Sequence, residues 1–475
     1  MIYYYYCIYM TQQITNGLFI FRRDLRIEDN KALSSAMENC KNVYTIFIFT
    51  PEQVTSKNNF KSEVAITFMI QSLQDLNVSI EEKNGSLSCF YNDNINMIES
   101  LIEKWKIDAV YFNKDISPYA RKRDDDIEKL CITKNISCIT KNDYYLTLPD
   151  SIKTGNNTPY TKFTPYYKKV LSQSKLIEKP YFKKKWNFAK QTIKIDNSIS
   201  LKDAQEKFCN QVLSTQKVIG GRKHALQILK KINYFTKYAD TRNDLEKNTT
   251  LLSAYIKFGN VSIREVFHTM KTNLGINHDL IKQLIWRDFY AQLLYNHPYV
   301  LGNPLKKKYE NINWENKNDY FNHWKEGTTG FPIVDAGMRE LNQTGYMHNR
   351  ARLITASFLV KTLLIDWQKG EQYFATKLID YDPASNNGNW QWVASTGADS
   401  QPYFRIFNPW SQSTKHDPDC KYIQKWIPEL KEIPVKSIHQ WYEKWELHST
   451  TYPKPIVDYK VQREKALSIY KQVID

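Results

Sequence analysis

The chain has 475 residues, 42% of them hydrophobic and 14% aromatic, with a formal charge of +16 at pH 7. That length exceeds what one core supports and sets two domains, and the basic surplus favours a polyanionic partner unless a lysine-rich composition merely scatters charge without forming a face. No run of 18 apolar residues exists, which excludes a membrane-spanning helix. The seven cysteines (Cys7, Cys40, Cys89, Cys131, Cys138, Cys209 and Cys420) show no C-x-x-C and no Cys/His grouping, so no metal site is expected. They read as reduced thiols of an intracellular protein in a reducing compartment. The opening MIYYYYCIYM lacks the basic start and cleavage site of a signal peptide, and Met10 is an alternative start.

From Gly17 to Asp143 short β-branched and aromatic runs alternate with helical patterns. LFIF (Leu18 to Phe21), VYTIFIF (Val43 to Phe49), LSCFY (Leu87 to Tyr91), DAVYF (Asp108 to Phe112) and ISCIT (Ile136 to Thr140) read as strands, and Glu63 to Leu76 and Tyr119 to Cys131 as helices between them. The alternation predicts an α/β domain over residues 17–143, with a parallel sheet covered on both faces and any ligand at the carboxyl ends of the strands. A G-x-G-x-x-G turn is absent, which argues against a standard dinucleotide site. Residues 144–204, with Gly155, Pro159, Pro165, Pro180 and Lys183-Lys184-Lys185, read as an irregular connection over the surface. From Gln205 helical periodicity takes over, as in Glu206 to Leu213 and Lys223 to Ile232, so residues 205–475 are expected to form an all-α domain.

Three stretches of the helical part carry chemistry. In KQLIWRDFYAQLLY (Lys282 to Tyr295), Gln283, Trp286, Arg287 and Tyr290 fall at i, i+3, i+4 and i+7, a mixed polar and aromatic stripe that suits a pocket wall. In YMHNRARLITASFLVKTLL (Tyr346 to Leu364), Arg350 and Arg352 leave an apolar helix on different sides and each needs an acid, a phosphate or water; Asp380 or Asp382 is a partner for one of them. DWQKGEQYFATKLIDYDPASNNGNWQW (Asp366 to Trp392) sets Trp367, Trp390 and Trp392 among Asp380, Asp382 and the Asn386-Asn387 amides, with a Gly388 turn expected to let backbone approach a ligand. A packed aromatic core explains the indoles as well as a planar redox ligand does. Upstream, NTTLLS (Asn248 to Ser253) offers hydroxyls at a helix start, either a simple cap or an anion site.

FRRDLRIEDN (Phe21 to Asn30), RKRDDDIEKL, TGFPIVDAGMREL (Thr329 to Leu341), GYMHNRARLITASFLVK, the Trp-rich stretch and PYFRIFNP (Pro402 to Pro409) together resemble the photolyase/cryptochrome flavoprotein family, in order from about Leu18 to Leu430, and most closely its class I cyclobutane pyrimidine dimer (CPD) branch. The resemblance implies a Rossmann-like antenna domain and a helical domain holding bent FAD, with a hole that admits a flipped-out lesion. By position it implies FAD contacts at Tyr238, Thr249, Thr250, Leu252, Ser253, Arg287, Arg352, Asp380, Asp382 and Asn386. Asn386 would face the flavin N5, and the Asp380–Arg352 pair would hold the polar edge of the ring. Trp390, Trp367 and Trp314 would relay electrons from the surface. Trp286 and Trp392 would stack on the lesion, Gln283, Asn349 and Leu353 would meet it, and Arg242, Arg350 and Arg405 would grip phosphates. The implied reaction is electron transfer from excited reduced FAD to the dimer, ring opening and return of the electron, on UV-damaged DNA, by a monomer.

Two positions depart from the class I pattern: Gln283 replaces a glutamate and Leu353 a methionine. The (6-4) photoproduct branch also carries glutamine at the first position but requires histidines where this chain has Asn349 and Leu353; His348 sits one residue away, about 100° around the helix. A blue-light sensor without repair activity is the reading from another class. YARKRD (Tyr119 to Asp124) matches the antenna stretch, with Ala120 in place of the glutamate of folate-binding members, so folate, deazaflavin and a second flavin all stay open.

Overall fold

The computed structural model describes residues 14–191, 195–209 and 216–473; the apolar opening, Cys7 and part of the helix expected at 206–213 lie outside the described residues. Five parallel strands, β1 (Ile14–Phe21), β2 (Cys40–Phe49), β3 (Leu87–Tyr91), β4 (Ala109–Lys114) and β5 (Ser137–Asn142), form one sheet in the order β3-β2-β1-β4-β5. Every predicted strand run lies within or overlaps one of them. Period-2 alternation splits each strand between two cores: Leu18, Ile20, Ile46, Ile48 and Val110 face one, Phe19, Phe21, Phe47, Phe49 and Tyr111 the other. Both faces are covered, which is why these strands read as unbroken apolar runs.

The core under Phe19 and Phe47 does not stop at the sheet. It continues through Val266, Phe267, Ile281, Ile285 and Phe289, so the helical part docks on this face through one apolar core. Buried ion pairs cross the same boundary: Arg264 of the helical part meets Asp29 (3.0 Å) and Asp143 (2.6 Å), the latter also held by Arg26 of the α/β part (2.6 Å). Gly259, at φ +64, lies so close that a Cβ would sit 2.4 Å from the Arg23 carbonyl oxygen, which lets the loop after β1 lie against the helical part.

Among the described residues no strand follows β5 and no helix is long and apolar enough to cross a membrane. The stretch expected to be irregular contains the Phe163–Ser172 helix, which buries Phe163, Tyr166 and Val170. Its prolines misled the reading, because Pro165 stands in the first turn, where its missing N–H has no helical partner to lose.

Candidate functional site: a cavity between two polar helix stripes

The Asn349–Lys361 and Pro383–Val393 helices each turn a polar stripe toward the other. Asn349, Arg352, Leu353 and Ala356, at i, i+3, i+4 and i+7, form one wall; Ser385, Asn386, Asn389, Trp390 and Val393 form the other; Phe374, Leu378, Asp380, Tyr381 and Asp382 close the back. The space between them that the centre of a water-sized sphere can reach is about 100 Å³.

Charge in the cavity is fixed by pairs. Arg352 Nη2 donates to Asp380 Oδ2 (3.0 Å) and its Nε to the Met347 carbonyl (2.8 Å). Burial works against the guanidinium charge, but Asp380 outweighs it and raises the pKa above the usual value. Ser253 Oγ donates to the same Asp380 Oδ2 (2.7 Å), while Asp380 Oδ1 is buried with no partner among the described residues. A buried carboxylate oxygen left unpaired in a cavity wall is an acceptor waiting for a ligand donor. Asp382 does not meet either helix arginine. Its Oδ1 caps the Pro383–Val393 helix at Ser385 N (3.1 Å), and its Oδ2 accepts from Arg23 Nη2 (2.9 Å), which arrives from the loop after β1. Burial opposes its charge, but Arg23, Lys257 and Arg287 prevail and hold it well below the usual carboxylate range.

The two amides separate. Asn386 gives its Nδ2 to the Glu371 carbonyl (3.0 Å) and lines the cavity. Asn387 points the other way, donating to the Val300 carbonyl (2.9 Å) and Glu371 Oε1 (3.0 Å), and it has a structural role. Burial, helped by Asp366, pushes Glu371 up to about 7. Gly388 is not a turn beside a ligand: it lies inside a helix, where a Cβ would sit 2.1 Å from the Tyr290 ring, so its smallness serves helix contact.

Of the hydroxyls, Thr249 Oγ1 pairs with the Tyr346 hydroxyl (3.1 Å), whose ring lies 5.3 Å from the Arg352 guanidinium carbon, and Thr250 Oγ1 accepts from Leu252 N (3.4 Å). Leu252 itself is buried in the core, and Leu251 before it adopts φ +56, an uncommon conformation for a branched residue and a mark of a constrained site. Tyr238 opens the short helix Tyr238–Thr241 that leads to Arg242. Arg350, pulled down by burial and then by Arg242, donates to Asn243 Oδ1 (2.7 Å) and has no carboxylate partner among the described residues. Two neighbouring guanidiniums without a full complement of acids suit phosphate. Arg405 is exposed, and its guanidinium donates to Gln401 Oε1 (3.2 Å).

Four expected placements differ. Arg287 does not line the cavity; its Nη1 donates to the Tyr144 carbonyl (2.6 Å) and its Nη2 is buried without a hydrogen-bond partner among the described residues. Trp286 gives one indole face to Phe163, at 3.5 Å and 5°, because the 163–172 helix packs there, so only the rest of the ring is open to a base. Gln283 and Trp392 are half-buried and do not line the cavity; Trp392 shares a helix with the wall residues Trp390 and Val393, whereas no residue of the Gln283 helix lines it. Trp390 is at the wall and 3% exposed; its closest rings are Phe374 (4.9 Å) and Trp324 (6.3 Å), and it packs on Gly370, one turn from buried Trp367. Trp314 is half-buried against Tyr470 (5.9 Å). Phe374, Trp324, Tyr381 and Asn389 were missed by motif matching, although Asn389 and Tyr381 stand at helical spacing or in sequence beside matched residues.

Two family models cover most of the chain: one described as DNA photolyase matches residues 18–184, and one described as the FAD binding domain of DNA photolyase matches residues 280–472. A deoxyribodipyrimidine photo-lyase of Buchnera aphidicola is 37% identical, covering 96% of this chain and 98% of its own length. The chain belongs to the photolyase/cryptochrome family. Among solved structures of the family, an archaeal photolyase from Sulfolobus tokodaii described with two FAD molecules superposes with a TM-score of 0.86 at 39% identity, covering 96% of this chain and 100% of that one. A Synechocystis cryptochrome gives 0.86 at 26% identity, over 97% and 100%. The α/β sheet and helical part of this photolyase relative are thus the family architecture, and its FAD-binding region is the one that holds the cavity.

Proposed function

We propose that this chain repairs cyclobutane pyrimidine dimers in damaged DNA using light and FAD. The single observation that carries the reading is the cavity between the two stripes, with Asp380 Oδ1 unpaired in its wall among the described residues, and with Arg350, next in sequence to Asn349 of that wall, near enough to Arg242 to feel its charge. Asp380, Arg352 and Asn386 would hold the flavin's polar edge, with Ser253, Thr249 and Thr250 toward its phosphates; bound FAD supplies light absorption and the electron. Arg352 remains charged there and offsets negative charge on the ring. Trp390 at the wall, with Trp367 behind it and Trp314 toward the surface, would restore the reduced state. Gln283 donates and accepts at a pyrimidine edge without the charge assistance of a carboxylate.

His348 favours dimers over (6-4) photoproducts. It is 4% exposed, its Nδ1 accepts from Arg350 N (3.1 Å), and burial pushes it down to about 4, so it is a neutral cap turned away from the cavity and no proton donor for a substrate. One chain supplies every wall of the cavity, which supports a monomer as the working unit. A light-harvesting pigment would sit where strand order reverses between β1 and β4, beside Arg23, Asp115 and Lys257. Ala120 is buried and offers a folate nothing, which favours a flavin or deazaflavin there.

The residue ranges 17–143, 144–204 and 205–475 remain our division of the chain. The test is to illuminate photoreduced protein with oligonucleotides carrying either lesion and measure recovered thymines. Recovery only from the dimer is expected; recovery from neither would leave a sensor.

A further inference from the structure

The segment from Ala394 to Phe407 leaves the Pro383–Val393 helix and carries Arg405 and the exposed Phe404. It starts in a strained conformation, with Ser395 at φ +68 and Asp399 at φ +46. Lys361, on the helix that also carries Asn349 and Arg352, is 1% exposed. Its ammonium donates to Ser395 Oγ (2.9 Å) and to the backbone carbonyl of Arg405 (3.2 Å). One side chain therefore grips both ends of the eleven residues from Ser395 to Arg405. No carboxylate lies within ion-pair distance of it among the described residues, and burial alone pulls its pKa to about 7. Burying an ammonium without a carboxylate is costly, and what holds it here is the two acceptors and the Tyr470 ring at 5.8 Å rather than an ion pair.

Resting on the reading that Arg405 meets a DNA phosphate, we infer that Lys361 is a positioning residue for DNA: it fixes the loop so that the exposed Arg405 guanidinium is presented to the strand. It touches no substrate and acts only through Arg405. Other anchors hold the loop along its length: the Tyr470 hydroxyl donates to the Ala394 carbonyl (2.6 Å), Lys306 Nζ donates to Ser400 Oγ (2.5 Å), Tyr403 stacks on Tyr470 (6.0 Å) and Phe407 N donates to Ser357 Oγ (3.4 Å). What sets Lys361 apart from these is that one ammonium ties Ser395 to the Arg405 carbonyl itself.

The test measures KM and kcat for a dimer-containing oligonucleotide under saturating blue light in wild type, K361M, R405A and K361M/R405A, with Tm beside them. We expect K361M and R405A each to raise KM about threefold to tenfold with kcat kept, and the double variant to be no worse than R405A alone. S395A, which removes one of the two acceptors, should move KM in the same direction and decides the matter if K361M does not fold. Multiplying effects in the double variant, or a lower Tm with KM unmoved, would overturn the inference while leaving the repair reading intact. R405A without effect on KM would remove the premise about Arg405 and the inference with it.

Discussion

Replacing Gly388 by alanine sets two known effects against each other. Alanine in a helix interior gains about 1 kcal/mol over glycine. Here the added Cβ would lie 2.1 Å from the Tyr290 ring, against about 3.4 Å for ordinary contact, so something must yield by more than an ångström. Tyr290 is 5% exposed and its ring is packed against Trp286 (5.6 Å) and Phe289 (5.7 Å), so it has nowhere to turn. Overpacking of this kind costs about 2–3 kcal/mol, leaving a net loss of about 1–2 kcal/mol. Because the two helices then separate, the Asn386 wall shifts and flavin content should fall as well. Thermal unfolding with a flavin-to-protein absorbance ratio is the assay, and a Tm lower by about 2–6 °C is expected. In a Tyr290→Ala background the same change should be neutral or stabilising. Gly155→Ala, in open space, is the control. An equal penalty for Gly388→Ala in both backgrounds would refute the packing argument.

Asp380→Asn should weaken flavin retention about tenfold or more, because Arg352 loses its charged partner while shape is kept; flavin release on dilution measures it. Glu371 has a folded pKa of about 7 against 4.5 unfolded, so the native state binds the extra proton and stability is highest below about pH 4.5 and declines as pH rises to about 7. Tm measured across that window should fall by the equivalent of about 3 kcal/mol more in wild type than in Glu371→Gln; parallel curves would contradict this. Neutralising Arg242, Arg350 and Arg405 in turn should each lower the slope of log affinity against log salt by about 1, read from binding titrations on a dimer-containing duplex. Trp390→Phe should stop photoreduction of oxidised flavin, followed by absorbance, while chemically reduced protein still repairs.

Much of the fold was legible because its signals are local. Runs such as LFIF and VYTIFIF predict buried strands wherever they occur, and Gln283, Trp286, Arg287 and Tyr290 do share a helix. The site was legible to the level of the stripe: Asn349, Arg352 and Leu353 do line one wall, and Asp380 and Asn386 do stand opposite them. What failed concerns neighbours. Nothing near Trp286 announces that Phe163 will cover it, and nothing in Asn386-Asn387 tells which amide turns inward.

The amino-acid order by itself determined the alternation of strands and helices, the polar faces of the helices and the excess of positive charge, since each follows from period 2, period 3.6 or simple counting. Tertiary structure decided that Arg23 reaches Asp382 across 359 residues, that Gly388 serves Tyr290 and that Lys361 holds Arg405. The periodicity of a helix says which residues share a face. Only chain folding, which brings distant segments to within a few ångströms, says what that face meets.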